Sequence, residues 1–352
     1  MNKNWQPSDN WIRITSIDAH TAGESLRIIT GGLPPIPGET ILAKRRYARE
    51  HLDRLRTALM WEPRGHADMY GCIVTEPTTP DGDLGVLFLH NEGWSTMCGH
   101  GVIGLVKVGM EVGLLAPEPV VRLDTPAGRV TAFPRFGPDG RMLDVAFDNV
   151  PSYVVGLDRV VDVPGLGGVR YDLAFGGAYY AYVDAASVGV GLTPADFRAL
   201  IDLGTRIKHA VLAADPPVHP FEPDLSLLYG VIFTGPGQTS EVAVRGEPLP
   251  LTPKRWREVC VFADGEVDRS PTGTGVSGLA AIHYTKGTVG ANEPFVVESI
   301  LGTTFSGEVV EVTTFGPYPA VVPRVTGTAH LTGRSEWLID PDDPLGAGFL
   351  LR

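Results

Sequence analysis

No eighteen consecutive apolar residues occur anywhere in this sequence, so it offers no helix able to span a membrane. The segment from Met1 to Trp11 lacks the apolar core of a secretory signal, and a cytoplasmic address is the expectation. Positive charge is scarce: 29 Lys and Arg stand against 41 Asp and Glu, a net charge of −12. Such a field repels nucleic acid and anionic membranes, so neither is expected as a partner, and any anionic ligand must meet a locally prepared site. Cysteine is scarcer still. Cys72, Cys98 and Cys260 are an odd number with no C-x-x-C pair, which argues against a disulfide framework and a structural zinc site. His20, His66 and His90 form no metal-ligand spacing with cysteines or carboxylates, so no metal is expected. No Gly-Lys-Ser/Thr closes a glycine-rich turn, which removes a phosphate loop.

What the chain does contain is enough apolar residue, 43% of 352, to fill a large core, more naturally shared between two domains than held in one. Strand-like runs from Arg13 to Gly32 lead through a Pro-rich turn to Thr40, where a helix should start. From there Leu42, Ala48, Leu52, Leu55 and Leu59 recur at three- and four-residue intervals, the stripe of an amphipathic helix. Tyr70 to Thr75 and Gly85 to His90 read as strands around Pro-Asp-Gly. A glycine-rich stretch at 98–104 opens an apolar helix, and Val120 to Asp124 with Arg129 to Phe133 form a hairpin.

The same order returns in the second half as an internal repeat. Tyr171 to Asp184 stands where Ile17 to Thr30 stood, and Thr193 to Leu212 supplies a helix like the one after Thr40. Strands follow at Leu227 to Thr234 and Val259 to Asp264, then a second hairpin from Phe295 to Phe315. Cys98-Gly-His-Gly-Val-Ile-Gly-Leu105 aligns with Thr272-Gly-Thr-Gly-Val-Ser-Gly-Leu279, sharing three glycines, a valine and a leucine. Two α/β halves facing one another about a pseudo-twofold axis are expected, residues 1–155 and 156–334, with the final stretch 335–352 crossing back to the first. The cleft between them is the natural ligand site.

Both stretches also fit G-x-G-x-x-G, with Asp124 or Glu298 downstream as in a dinucleotide fingerprint. Trp94 to Met97 and Asp268 to Pro271 nevertheless read as loops, and each acidic strand continues into a hairpin where a crossover helix would be needed, so nucleotide binding is not expected. Two helix N-termini remain, each presenting a hydroxyl or thiol at its first turn. Such ends bind carboxylates, and they depress a thiol pKa, so Cys98 is expected to be partly thiolate and to act as a general base, with His100 as a further donor. A buried inert thiol, a structural histidine and a turn-capping Asp268 are the plainer alternatives for these residues. Cys72 and Cys260 lie in apolar strand patterns and are expected in the core.

At these residues the chain resembles a known family. Met97-Cys-Gly-His-Gly101 and Asp268-Arg-Ser-Pro-Thr-Gly-Thr-Gly275 look like the two signatures of the proline racemase superfamily, and Asp18 to Glu24, Glu62 to Tyr70 and Asp340 to Leu345 also fit. The resemblance implies an α/β (α+β) fold of the diaminopimelate epimerase-like type, each half a mostly antiparallel sheet or barrel around a central helix. It further implies cofactor-independent chemistry on a small imino acid, and a homodimer. In racemases and 4-hydroxyproline epimerases of the family both helix starts carry cysteine. Thr272 in the second start is similar to the trans-3-hydroxy-L-proline dehydratase branch, as is Leu228-Tyr-Gly230. Carried over by resemblance, Cys98 would be the base, Gly99, His100, Gly273 and Thr274 would hold the carboxylate and ring nitrogen, and Asp268 would contact the amine.

The threonine has a meaning of its own, because a hydroxyl is far too weak an acid to serve as the second base of a racemisation near neutral pH. Removal of the Cα proton by Cys98 with loss of a β-hydroxyl needs only one base, leaving Thr272 to hydrogen-bond the ring or relay a proton. Dehydration of a 3-hydroxyproline is therefore the leading reading. A 4-hydroxyproline 2-epimerase or proline racemase, and a non-catalytic imino-acid binding protein, stand as alternatives.

Overall fold

The computed structural model describes residues 5–237 and 253–351. The first half runs β1 (Ile12–Thr21), β2 (Glu24–Gly31), α1 (Ile41–His51), α2 (Asp53–Met60), β3 (Tyr70–Thr75), β4 (Leu84–His90), β5 (Gly93–Ser95), α3 (Gly99–Glu111), β6 (Val121–Thr125), β7 (Gly128–Phe136) and β8 (Met142–Asp148). The second runs β9 (Ser152–Val163), β10 (Gly167–Phe175), β11 (Tyr179–Asp184), α4 (Phe197–Ala214), β12 (Leu228–Pro236), β13 (Lys254–Phe262), β14 (Glu266–Val267), α5 (Gly273–Thr285), β15 (Phe295–Glu298), β16 (Thr304–Phe315) and β17 (Tyr318–Gly327). A last strand, β18 (Ala329–Ile339), pairs antiparallel with β1. The fold is thus mixed α+β, largely strand.

The strand ladders repeat as the sequence does. Most neighbours are antiparallel, but β2 runs parallel to β3 and β4 to β6, while β11 runs parallel to β12 and β13 to β15. In the second half the ladder closes on itself, because β9 pairs with both β10 and β17. The first half closes through β8, which pairs with the end of β17, from which the chain passes directly into β18. We propose a division near residue 155; that position falls within β9, the strand leading from β8 into the second half.

Each ring surrounds one apolar helix. From Gly99 to Gly109 every residue of α3 is buried, as is every residue of α5 from Gly273 to Ile282, the condition in which a helix needs no polar face. The third glycine of each stretch lets helix and wall approach. A Cβ on Gly104 would stand 2.6 Å from Leu26 in β2, and one on Gly278 would stand 2.1 Å from the hydroxyl of Tyr182 in β11. The outer helices differ from expectation in one detail. The apolar stripe after Thr40 breaks at Leu52 into two helices, Thr40 capping the first by accepting from Ala43 N–H at 3.1 Å. Both pack over Ile14, Ile29, Ile73 and Leu87, outside the first ring. Among the described residues, no helix is long and apolar enough to cross a membrane.

Asp124 and Glu298 hold matching places in β6 and β15, and both are occupied by protein groups. Asp124 accepts from the N–H groups of Thr78 and Thr79 at 2.8 Å and from Arg129, while Glu298 pairs with Arg257 at 3.1 Å. Neither is left to hold a ribose.

Candidate active site

The N-termini of α3 and α5 meet head to head. A Cβ on Gly99 would stand 2.6 Å from the Cα of Gly273, and one on Gly273 would stand 2.7 Å from the Cα of Gly99, so only glycine lets the two backbones touch. Around this contact lies a pocket lined by Cys98, Gly99, His100, Asp268, Thr272, Gly273 and Thr274. All seven residues singled out from sequence therefore share one cleft.

The two helix starts are not equivalent. Cys98 has extended backbone, and its Sγ accepts from the N–H of Gly101 at 3.2 Å, a side-chain cap. His100 Nδ1 stands 3.2 Å from the same sulfur, and the ring packs edge-on against Tyr70. Thr272 instead has φ +57°, a left-handed backbone that costs a β-branched residue about 1–3 kcal/mol. Its hydroxyl caps nothing, and buried Oγ1 makes no well-formed hydrogen bond among the described residues, its one polar interaction being a weak one with the Cys260 thiol. Cys260 lies beside it, close enough for the hydroxyl to influence its thiol.

Electrostatics correct one expectation from sequence. Burial pushes the Cys98 thiol well above its ordinary range; the Gly101 amide pulls the other way and Asp268 adds to the rise. The direction is toward the thiol, because loss of water outweighs the helix end. Burial also lowers the pKa of His100, with Asp268 opposing, so the imidazole is neutral at pH 7. Asp268 does cap the following turn, accepting from Ser270 N–H at 2.7 Å, and also faces the pocket. The hydroxyls of Thr274 and Tyr180 are 2.7 Å apart.

Six further residues line the pocket: Tyr70, Met97, Tyr180, Tyr229, Cys260 and Phe262. Cys72 and Cys260 are both buried in the core as expected, and Cys260 also borders the cleft. Its signal was period two: Cys260 and Phe262 alternate on β13 and so share a face. Tyr70 and Tyr229 sit in segments already notable in sequence, but nothing local told which tyrosines would converge. Contacts across the halves hold the two starts in place. Glu24 accepts from Arg269 N–H at 2.7 Å, Arg269 pairs with Asp68 at 2.6 Å, and Thr303 donates to the carbonyl of Ala22 at 2.6 Å. Among the described residues, no group of three or more His, Cys, Asp or Glu side chains converges as a metal site.

The sequence matches the family model described as proline racemase over residues 16–350. A trans-3-hydroxy-L-proline dehydratase of Colwellia psychrerythraea is 44% identical over 354 residues, covering 99% of this chain and 96% of the relative. A 3-hydroxyproline 2-epimerase of Burkholderia multivorans is also 44% identical, over 344 residues, covering 96% and 98%. Among solved structures, a hydroxyproline epimerase from Agrobacterium vitis with bound trans-4-hydroxy-L-proline superposes with a TM-score of 0.86 at 30% identity, covering 97% and 96%.

Proposed function

The chain belongs to the proline racemase family and is an enzyme, and from that premise we propose that it dehydrates trans-3-hydroxy-L-proline to Δ1-pyrroline-2-carboxylate. The observation that carries the reading is the asymmetry of the two helix starts: a thiol at Cys98 and, where a second thiol would sit for two-base chemistry, the hydroxyl of Thr272. Dehydratases at about 44% identity lend it support, although the equally similar epimerase means that overall identity does not decide between the reactions.

In this mechanism the substrate carboxylate lies across the first-turn amides of Gly99, His100, Gly273 and Thr274, and its ammonium faces Asp268. A neighbouring positive charge opposes the burial that keeps Cys98 protonated, so substrate binding itself favours the thiolate, which Gly101 N–H then stabilises. Cys98 takes the Cα proton, and the helix-end amides stabilise charge gathering on the carboxylate. The C3–O bond breaks as the Cα–C3 double bond forms, and the hydroxyl departs as water after gaining a proton on the Thr272 side. The enamine then tautomerises to the Δ1 imine.

A second reading rests on Cys260, a thiol on the Thr272 side of the cleft, which would supply the opposite-face acid for inversion at Cα as in an epimerase or racemase. Against it, burial pushes Cys260 well above its ordinary range, and its position in mid-strand brings no helix-end amides. Incubation with trans-3-hydroxy-L-proline, trans-4-hydroxy-L-proline and proline in deuterated buffer tests both. Loss of water from the 3-hydroxy compound supports dehydration. Deuterium at Cα with inversion and no loss of water would replace it with epimerisation, and binding without either would leave a binding protein.

A further inference from the structure

Among the described residues four glutamates, Glu24, Glu258, Glu266 and Glu298, have no solvent exposure at all. Glu24 accepts from Arg269 N–H, Glu266 meets His90 at 3.1 Å, and Glu298 meets Arg257 at 3.1 Å. Glu258 alone has both carboxyl oxygens buried without a hydrogen-bond partner among the described residues. Leaving an ionised carboxylate in that state would cost many kcal/mol, so a fold that keeps one unpaired keeps it neutral. Burial accordingly pushes Glu258 well above the carboxylate range, and Asp268 adds to the rise.

Its position gives that proton a destination. Glu258, Cys260 and Phe262 alternate along β13, and the latter two border the pocket, so Glu258 lies on the same face, next in line. Facing it is Gly275 in the first turn of α5, where a Cβ would stand 2.7 Å from Glu258 Oε1 and 3.2 Å from Thr272 Cβ. The missing side chain leaves the two groups as neighbours across the space a methyl would fill, without a hydrogen bond between them. Thr272 Oγ1 is another buried polar atom here with no well-formed hydrogen bond among the described residues, and Thr272 lines the cleft.

We propose that Glu258 is the proton source for the departing hydroxyl, acting through Thr272, an inference that rests on the dehydratase reading above. As the C3–O bond breaks, the Thr272 O–H passes its proton to the leaving oxygen, giving water, and takes the proton of Glu258. Cys98 meanwhile holds the proton from Cα. One proton has been gained and one lost by the protein, and return of the Cys98 proton to Glu258 through solvent after product release restores both. No other reactant is needed.

The test is Glu258→Gln, followed in deuterated buffer by two readouts: imine formed, and deuterium at Cα of recovered substrate. Losing the proton source should slow dehydration about 100-fold, the lower range for loss of a general acid, with KM little changed. Deprotonation by Cys98 remains, so exchange at Cα should continue and its ratio to elimination should rise. Glu258→Asp, which keeps the acid, should recover part of the rate, and serves as the test if the glutamine variant does not fold. Equal slowing of exchange and elimination, or no slowing of either, would overturn the proposal by making Glu258 merely structural. If the wild-type protein exchanges Cα but expels no water from the 3-hydroxy compound, the dehydratase reading itself has failed, and this appears before any variant is made.

Discussion

Cys98 combines two opposing influences on one thiol: a helix-end amide directed at the sulfur and burial that opposes ionisation. If it is the base, Cys98→Ala removes the group that accepts the Cα proton and little volume, and dehydration should fall at least about 10³-fold while the melting temperature barely moves. Cys98→Ser should be nearly as damaging, since a helix end does not ionise a serine usefully. Steady-state kinetics beside thermal melting checks both. The raised thiol pKa also fixes the sign of the pH dependence. Below that pKa the thiolate fraction grows about tenfold per pH unit, so kcat/KM should climb from pH 7 to 9 without a plateau. A profile already flat at pH 7 would mean that the free pocket ionises the thiol. Thr272 invites the reverse substitution. Thr272→Cys would return a second titratable group to the other face, and should add measurable racemisation of proline, which has no β-hydroxyl to expel, read by optical rotation with solvent deuterium. If the wild-type protein already inverts Cα efficiently, the hydroxyl does not block two-base chemistry.

The glycines of α3 and α5 act at a larger scale, by deciding how closely these helices approach each other and their walls. Gly273→Ala would push a methyl into the backbone of Gly99, a neighbour that cannot rotate away, and should cost about 1–3 kcal/mol as overpacking does. The larger effect should be on turnover, because the same displacement separates Cys98 from Thr272; a variant with full activity and unchanged melting would show the contact to be looser. This level was the most legible in sequence. The repeated Gly-x-Gly-x-x-Gly pattern aligned the two halves and marked Cys98 and Thr272 at matching helix starts, because close backbone approach leaves a mark that only glycine carries; Asp268 and the roles of Gly99, His100, Gly273 and Thr274 came from the family resemblance. The helix after Thr40 was less legible, since the break at Leu52 leaves the apolar stripe uninterrupted. Cys260 and Glu258 were hidden for a different reason: β13 is buried on both faces from Arg257 to Phe262, so the alternation that puts Glu258, Cys260 and Phe262 on one face does not tell that this face looks onto a cleft. The state of the Cys98 thiol was also beyond the sequence, which shows a helix end but not how much water is lost there.

Both halves depend on chain that lies far away. β9 closes the second ring against β17, and the contacts of Glu24, Asp68 and Ala22 with Arg269 and Thr303 join the two sides of the cleft. Ending the chain after Thr328 would strip β18 from β1 and leave a ten-residue edge unpaired. Such an edge is a template for association, so the truncated protein should aggregate or sediment as oligomers, as analytical ultracentrifugation would reveal; a soluble, active truncation would mean that β18 is dispensable.

The pairing of β1 with β18 joins Ile12 to Ile339 and Thr21 to Ala329. On a ribosome β1 emerges before every other described strand and its partner β18 after them all, so the first ring must wait for the strands of the second before it can close. The second ring, whose strands all lie between Ser152 and Gly327, is complete earlier. The half that is made first is therefore the half that finishes last, and during synthesis the open edge of β1 is the stretch most in need of a chaperone.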